Sequence, residues 1–366
     1  MSDDIIARLP SITIDVNRII LSIQLIVGTF GNLMNILIFT RRTLRNNPCS
    51  LYFLASSIGN IFFLYSSLLS RLLSSGWQID FSNTSVLLCK LRIYFVYIFL
   101  SLDQWSIVLA SFDRYLISSR NIRLRQLSNV SIARKIILIT ISLIFLIHFH
   151  TLIWYTSYYK GTVLTCASLG QIYPIIFSIF FLIFTCLLPP IFMGIFGLLT
   201  ILNIRKVRIQ VVPQNNNVRN ERLRTQDREL MKMLLIQVIV SIICTAPFAF
   251  DTLFNAIVAN FTRSSSFIVI NTFADTLARV FIYFNPVVGF FIYTLAGPIF
   301  RIETKRIFLR VIKFILTPTA LERYMPRIPQ QRDQTATNQY RMSMAVGRNP
   351  NTLFIKKRQT EGMAQA

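Results

Sequence analysis

The stretch 110–120 reads ASFDRYLISSR, and it places an acid, a base and an aromatic residue, Asp113, Arg114 and Tyr115, at the end of a long apolar run. Composition indicates what kind of run this is. Of the 366 residues, 53% are hydrophobic and only 14% are charged, and the mean hydropathy is +0.54. Ordinary soluble domains carry about 25% charged residues. The sequence therefore predicts a chain that lies largely in a bilayer.

Seven stretches are long and apolar enough to cross about 30 Å of hydrocarbon as helices that rise about 1.5 Å per residue. They are residues 19–40, 50–73, 89–117, 135–156, 173–204, 229–258 and 267–296. Backbone groups in lipid must be paired within their segment, so we expect an all-α membrane protein, a bundle of seven transmembrane helices. The predicted organisation is an extracellular segment 1–18, a seven-helix domain 19–297, a short amphipathic helix 298–315, and a disordered basic tail 316–366.

Lys and Arg concentrate in alternate connections between the spans: three follow the first span, five lie between the third and fourth, and eight fall within residues 205–232. By the positive-inside rule the amino terminus is extracellular and the tail cytosolic, as in a multi-pass plasma-membrane protein. The net charge of +23 faces lipid headgroups rather than nucleic acid, because the basic residues flank spans. The alternative, that this charge sets topology without lipid specificity, stays open.

The outer connections contain two glycosylation sequons, at Asn83 and Asn260, which agree with this orientation. Cys89 and Cys166 also fall on the outer side, whereas the other three cysteines lie in or beside spans. Because the secretory route is oxidising, we expect a disulfide bond between Cys89 and Cys166.

The residues around the opening stretch match a known pattern. Asp113, Arg114 and Tyr115 end the third span on the cytosolic side, and Cys89 lies 25 residues before Arg114. With Gly31-Asn32 in the first span and prolines in the fifth and sixth, the chain resembles the rhodopsin-like family of G-protein-coupled receptors. In the seventh span, GFFIY ends at Tyr293, seven residues before Phe300, and is loosely similar to invertebrate FMRFamide-like neuropeptide receptors.

The resemblance implies an extracellular ligand, a heterotrimeric G protein, and arrestin and a receptor kinase as further partners. It also implies a switch in which Arg114 pairs with Asp227 at the start of the sixth span until an agonist swings that helix outward, with Tyr293 in the same machinery. The alternative is that Asp227 is a solvated acid favoured by the helix dipole.

The second span lacks the aspartate that the family usually carries, since Ile58 stands at that position. Asp103, however, lies 11 residues before Arg114 on the same inner face of the third span. We expect Asp103 to form a central polar site with Asn32 and Asn285 that holds a sodium ion or a proton. The alternative is a neutral, hydrogen-bonded acid. No other cofactor is expected.

Val96 occupies the position where aminergic members of the family carry an aspartate, so an amine ligand is not expected. The predicted ligand pocket consists of Val96, Tyr97, Phe248, Asp251, Asp275, Arg279 and Tyr283. Asp275 and Arg279 are four residues apart, a spacing that favours an ion pair on one helix. Either this pair only neutralises itself, or Arg279 binds a carbonyl, carboxylate or phenol of a peptide.

These features favour a G-protein-coupled receptor for a neuropeptide. Two alternatives are an orphan chemosensory receptor for a small molecule and a seven-span transporter or channel, although internal repeats and charged, broken helices at mid-membrane are missing from the sequence. An enzyme is not expected. The two histidines, His148 and His150, lie two residues apart with no convergent acid nearby in the sequence.

Overall fold

The computed structural model describes residues 2–41, 44–80, 85–160, 163–210, 218–258, 261 and 264–316. These described residues are almost entirely helical, and one β-hairpin connects two of the helices. The helices are α1 (Ser2–Phe39), α2 (Pro48–Gly76), α3 (Val86–Ser118), α4 (Ile122–Leu127), α5 (Val130–Trp154), α6 (residues 173–210), α7 (Val218–Val258), α8 (Ser265–Ala296) and α9 (Pro298–Leu316). The hairpin consists of β1 (Tyr155–Lys160) and β2 (Val163–Ser168).

Each predicted span corresponds to a helix: the seven are α1, α2, α3, α5, α6, α7 and α8. Six of them are long and apolar enough by themselves to cross a membrane. The exception is α3, a 33-residue helix that carries Lys90, Arg92, Asp103, Asp113 and Arg114. It packs against α2 and α6 and buries both acids of its inner half, so a central position in the bundle makes these charges tolerable.

Several helices begin earlier than the hydropathy pattern predicts. α1 starts at Ser2 rather than at residue 19, and α7 starts at Val218 rather than at 229. At about 1.5 Å per residue, the 38 residues of α1 exceed the thickness of a bilayer, so its polar first turns extend beyond the hydrocarbon. Hydropathy marks only the lipid-embedded part of a helix, which explains the difference.

Polar residues define the other helix starts. Asn47 accepts a hydrogen bond from the backbone N–H of Cys49 and precedes a proline, Pro48, at the first helical position of α2. Asn121, Asn129 and Ser264 cap α4, α5 and α8 in the same way. These caps satisfy backbone donors that would otherwise lack partners at the membrane surface.

Two prolines account for an irregular stretch of α6. α6 contains a wider π-helical segment, Leu182–Leu187, immediately before Pro189 and Pro190, which cannot donate to the carbonyls one turn earlier. Pro247 and Pro286 lie inside α7 and α8.

The bundle turns apolar side chains outward and polar side chains inward. Leu138, Leu146 and Ile239, for example, are more than half exposed, as expected for lipid contact, whereas Asn32, Asp103 and a set of further polar residues are buried. The chain divides into two units after Arg306; the second contains the described end of α9, to Leu316.

Candidate functional site

At the carboxyl-terminal end of α3, Asp113 and Arg114 form a buried ion pair. The Nη2 atom of Arg114 donates to Oδ2 of Asp113 over 2.7 Å, and the two side chains are 2% and 3% exposed. The same nitrogen donates to Oδ1 of Asn47 over 3.0 Å. Ser128, in the connection between α4 and α5, donates to Oδ1 of Asp113 over 2.6 Å. The guanidinium is therefore held in the bundle by one charged and one neutral acceptor.

The sequence did not identify Asn47 or Ser128 as parts of this cluster. The sequence gives little indication of these contacts, because an Asn before a proline indicates only a helix cap and a Ser is common in loops. Asn47 does cap α2, and its Oδ1 atom accepts from both Cys49 and Arg114. One side-chain oxygen thus links the start of α2 to the end of α3.

The two tyrosines of the predicted switch occupy different surroundings. Tyr115 packs its ring against Phe112 and Phe196, which joins α3 to α6. Tyr293 is 2% exposed and packs against Phe39, Phe53 and Phe300, with ring centroids 5.0–5.8 Å away. The side chain of Asp227 lies outside the described part of the chain, so its pairing with Arg114 stays a prediction.

In the middle of the bundle, Asp103 of α3 accepts hydrogen bonds from two other helices. Ser56 and Asn60 of α2 donate to its Oδ1 atom, the Asn60 bond being 3.0 Å long, and Asn285 of α8 donates to Oδ2 over 2.9 Å. The carboxylate is 2% exposed. Gln237 of α7 lies 3.5 Å from the side-chain oxygen of Asn285 and extends this polar cluster.

The expected neighbour Asn32 is not a partner of Asp103. Its amide donates instead to the backbone oxygens of Gly28 and Pro286, each over 2.8 Å. Asn32 of α1 therefore binds the backbone of α8 across the interface between the two helices. Ser56 and Asn60 take the place at Asp103 that the sequence assigned to Asn32.

The arrangement around Asp103 does not fit a sodium ion as it stands. Sodium needs oxygen ligands, whereas Asn60 and Asn285 both turn N–H groups toward the carboxylate. Three donors satisfy the two oxygens without a cation. A sodium ion at Asp103 stays a prediction, and it requires both amides to rotate.

Toward the amino-terminal end of α3, a small cavity of about 60 Å³ lies between α2, α3, α7 and α8. Five of the seven predicted pocket residues line it: Val96, Tyr97, Phe248, Arg279 and Tyr283. The other lining residues are Phe63, Ser67, Arg71, Arg92, Ile93, Leu100 and Ile282. Arg71 and Arg92 are not in the predicted pocket, because the sequence does not show which way their side chains point around the helix axis.

The two acids of the predicted pocket, Asp251 and Asp275, do not line the cavity. Asp275 accepts from Arg279 on its own helix, where Nε is 2.9 Å from both carboxylate oxygens, and from Arg71 of α2 over 3.0 Å. Asp251 of α7 interacts with Asp275 and Arg279. The guanidinium of Arg279 also lies 5.1 Å from the centre of the Phe248 ring, at a distance suited to a cation–π contact.

The β-hairpin lies at the amino-terminal end of α3, and the predicted disulfide joins the two. Cys89 at the start of α3 is bonded to Cys166 of β2, which confirms the pairing. In the hairpin, Cys166 lies opposite Ser157. Tyr155, the first residue of β1, is hydrogen-bonded to Tyr97 of the cavity, and burial raises the pKa of the Tyr155 phenol well above its ordinary value, so it stays neutral. The sequon residues Asn83 and Asn260 lie outside the described residues.

Comparison with known proteins agrees with this architecture. The model of the seven-transmembrane receptors of the rhodopsin family matches residues 31–293, from the first span to Tyr293. A search of curated proteins finds no match. The matched segment includes the end of the first span, the second to sixth spans, most of the seventh, the Asp113–Arg114 pair and both disulfide cysteines. This multi-pass membrane protein therefore belongs to the rhodopsin family of seven-transmembrane receptors, whose members are signalling receptors and not enzymes.

Proposed function

We propose that this chain is a plasma-membrane receptor for an extracellular peptide and that it activates heterotrimeric G proteins. The observation that carries the proposal is the course of α8. Its outer half supplies Arg279 and Tyr283 to the cavity, and two residues later Asn285 donates to Asp103 of α3. Because α3 ends in Asp113 and Arg114, a ligand that displaces α8 acts on the helix that carries the cytosolic ion pair.

Two features support an extracellular amino terminus and a cytosolic tail. Lys and Arg concentrate in the connections that would lie on the cytosolic side. The disulfide between Cys89 and Cys166 is at the opposite end of α3 from Arg114, as expected for the side exposed to an oxidising compartment.

The lining of the cavity favours a ligand group that accepts hydrogen bonds or carries negative charge. Each polar side chain in the lining can donate a hydrogen bond, and none of them is an acid. Arginine forks bind carboxylates with two parallel hydrogen bonds. We therefore assign a carboxylate or carbonyl of the peptide to Arg279, with Tyr97 and Phe248 packing against its apolar side chains.

The small volume of the cavity bears on how such a ligand enters. Pockets for small molecules typically measure about 300–1,000 Å³, several times the roughly 60 Å³ found here. Side chains must therefore move on binding. The contacts between Asp275 and its two arginines are the natural ones to exchange, since a ligand carboxylate can replace Asp275 as a partner.

On the cytosolic side, we propose that activation swings α7 outward about the region of Pro247 and releases Arg114 to a G-protein tail. In the resting state, contacts with Asp113 and Asn47 hold the guanidinium. Asp227 would add a further contact at the start of the sixth span. Arrestin and a receptor kinase are proposed to act on the polar tail.

A small-molecule chemosensory receptor is the second candidate, because the same small, donor-lined cavity suits a compact organic acid. Peptides and small acids can be distinguished by the response of cells that express the receptor. A panel of peptides with free or amidated carboxyl ends is compared with a panel of small carboxylic acids, using G-protein dissociation as the readout. Responses only to small acids would contradict the peptide proposal.

The role of Arg279 is tested in the same cells once an active ligand has been found. Arg279→Gln is expected to lower ligand potency at least about tenfold, which corresponds to about 1.4 kcal/mol of lost interaction. Lys90→Gln is the matched control, because it also removes one positive charge, and Lys90 does not line the cavity. Equal potencies for the two variants would contradict the assignment.

G-protein coupling itself is tested with purified receptor in nanodiscs. The receptor is expected to accelerate GDP release from at least one heterotrimer, and Arg114→Ala to abolish the effect. Asp227→Ala tests the additional contact, which predicts raised basal release. Unchanged basal release would contradict that contact while leaving coupling intact.

A further inference from the structure

Ser128 connects the loop between α4 and α5 to the Asp113–Arg114 pair. It is the C-cap residue of α4, and the sequence before it, RLRQLS at 123–128, contains two exposed arginines, Arg123 and Arg125. Ser128 is half-buried, whereas its neighbours on both sides in the chain are exposed. The serine thus lies in an accessible basic segment but points its hydroxyl at a buried acid.

The hydrogen bonds at Asp113 make Ser128 part of the resting arrangement. Its hydroxyl donates to one oxygen of Asp113 over 2.6 Å, while Arg114 donates to the other oxygen over 2.7 Å. One carboxylate therefore holds both the loop and the buried guanidinium. Any change that makes Ser128 repel Asp113 acts directly on the partner of Arg114.

We propose that Ser128 is a phosphorylation site for a basophilic serine/threonine kinase, and that its phosphorylation releases this loop from Asp113. Arginines three and five residues before the serine suit the acidic substrate cleft of such a kinase. In the reaction, Oγ of Ser128 forms a bond to the γ-phosphorus of ATP, the bond from that phosphorus to the bridging oxygen of ADP breaks, and the hydroxyl proton passes to the base of the kinase.

The local structure allows the kinase to reach the serine. α4 has only six residues and buries none of them, so little packing opposes its opening. The other serines of this connection, Ser118, Ser119 and Ser131, lack an arginine three residues before them. Of these serines, Ser128 is therefore the one with the arginine that a basophilic kinase requires.

Phosphorylation changes the chemistry at Asp113 in two ways. The phosphate group replaces the hydroxyl that donates the hydrogen bond, and it adds about 1.5 to 2 negative charges next to a carboxylate. Repulsion then separates the loop from Asp113. The carboxylate loses one of its two donors, which weakens the resting arrangement around Arg114.

The modification is tested with the full-length receptor in nanodiscs, incubated with ATP and the catalytic subunit of a basophilic kinase and analysed by peptide mass spectrometry. We expect phosphate on Ser128 in the wild type and in Ser128→Thr, and at least about tenfold less in Arg125→Gln, which retains the hydrogen bond to Asp113. Absence of phosphate on Ser128 in the wild type, or undiminished phosphate in Arg125→Gln, would overturn the proposal.

The structural consequence is measured by thermal unfolding before and after kinase treatment. The Tm of the wild type should fall by about 2 °C or more, while Ser128→Ala should show no change on treatment. In Asp113→Asn the drop should shrink, because the like-charge repulsion is removed. A wild type that is phosphorylated on Ser128 without any change in Tm would overturn the release of the loop. Neither readout uses a G protein, so the result is independent of the proposed coupling.

Discussion

Asn285 of α8 donates its side-chain amide to Asp103 of α3 over 2.9 Å, although 182 residues separate the two in the sequence. Ser56 and Asn60 of α2 donate to the other carboxylate oxygen, so this single side chain joins three helices. Asp103 is only 2% exposed, so water cannot replace it as the partner of these donors. The central carboxylate is therefore expected to be a major determinant of how the helices fit together.

We expect Asp103→Asn to destabilise the receptor by about 1–3 kcal/mol and to lower its Tm. The substitution keeps the size of the side chain but replaces an acceptor oxygen with an N–H group that faces another donor. Ser111→Ala is the control, since the Ser111 hydroxyl bonds only the carbonyl of Ile107 in its own helix. Thermal unfolding of the purified variants measures both. A Tm for Asp103→Asn at or above that of Ser111→Ala would contradict the structural role.

The orientation of the amides at Asp103 leads to a prediction about sodium. Because Asn60 and Asn285 present N–H groups, we expect the Tm in sodium chloride to equal that in potassium chloride at the same ionic strength. A bound sodium ion would instead stabilise the folded state as its concentration rises. A rise in Tm that is specific to sodium and is abolished by Asp103→Asn would contradict this expectation and support sodium binding at Asp103.

The seven helices and the disulfide could be predicted because they depend on local or topological signals. Span length and charge asymmetry identify the helices, and the side of the membrane selects Cys89 and Cys166. The ion pair of Asp275 and Arg279 could be predicted for the same reason, since a spacing of four residues places two side chains on one face of a helix whatever surrounds it.

Contacts between helices were harder to predict from the sequence, because they depend on how each helix is rotated about its axis. Hydropathy leaves that rotation undefined for spans that are apolar all round. Arg71 therefore was not recognised as the second partner of Asp275, and Asn32 was assigned to Asp103 although it binds the carbonyl of Pro286. The amide of Asn32 reaches that carbonyl because α1 packs against α8, and no residue pattern in the sequence predicts this contact.

The double role of Asp275 predicts a strong effect of Asp275→Asn. The substitution leaves Arg71 and Arg279 in a largely buried setting with only a neutral partner, and hydrogen bonds to charged groups contribute about 1.5–3 kcal/mol. We expect reduced cell-surface expression and a lower Tm. Adding Arg71→Gln should recover part of the loss, because it removes one of the two unpaired charges. A double variant no more stable than Asp275→Asn would contradict the shared role.

The disulfide between Cys89 and Cys166 should stabilise the outer end of the bundle. It closes a loop of 77 residues, and loss of a native disulfide typically costs about 2–5 kcal/mol. Cys89→Ala is expected to lower surface expression and to make the Tm insensitive to reductant. Cys186→Ala, which removes a free cysteine, should retain the sensitivity of the wild type. Equal behaviour of the two variants would argue against a stabilising bond.

Substitutions of Asn47 can separate its two roles, as the cap of α2 and as an acceptor for Arg114. Asn47→Ala removes the cap of α2, at a cost of about 1 kcal/mol, and also removes the acceptor for Arg114. Asn47→Asp keeps the cap and offers Arg114 a charged acceptor. If the receptor couples as proposed, basal GDP release should rise in Asn47→Ala and fall in Asn47→Asp.

Asn129→Ala provides the control for capping alone, because Asn129 caps α5 and accepts from Ser131 without contacting Arg114. It should lower the Tm by an amount similar to Asn47→Ala while leaving basal GDP release at the wild-type level. Basal release that follows the Tm across all three variants would mean that loss of the cap, and not loss of the Arg114 acceptor, controls the resting state. Opposite changes in Asn47→Ala and Asn47→Asp, with Asn129→Ala unchanged, would assign the restraint to the side-chain oxygen of Asn47, because only that atom differs in its interaction with the guanidinium.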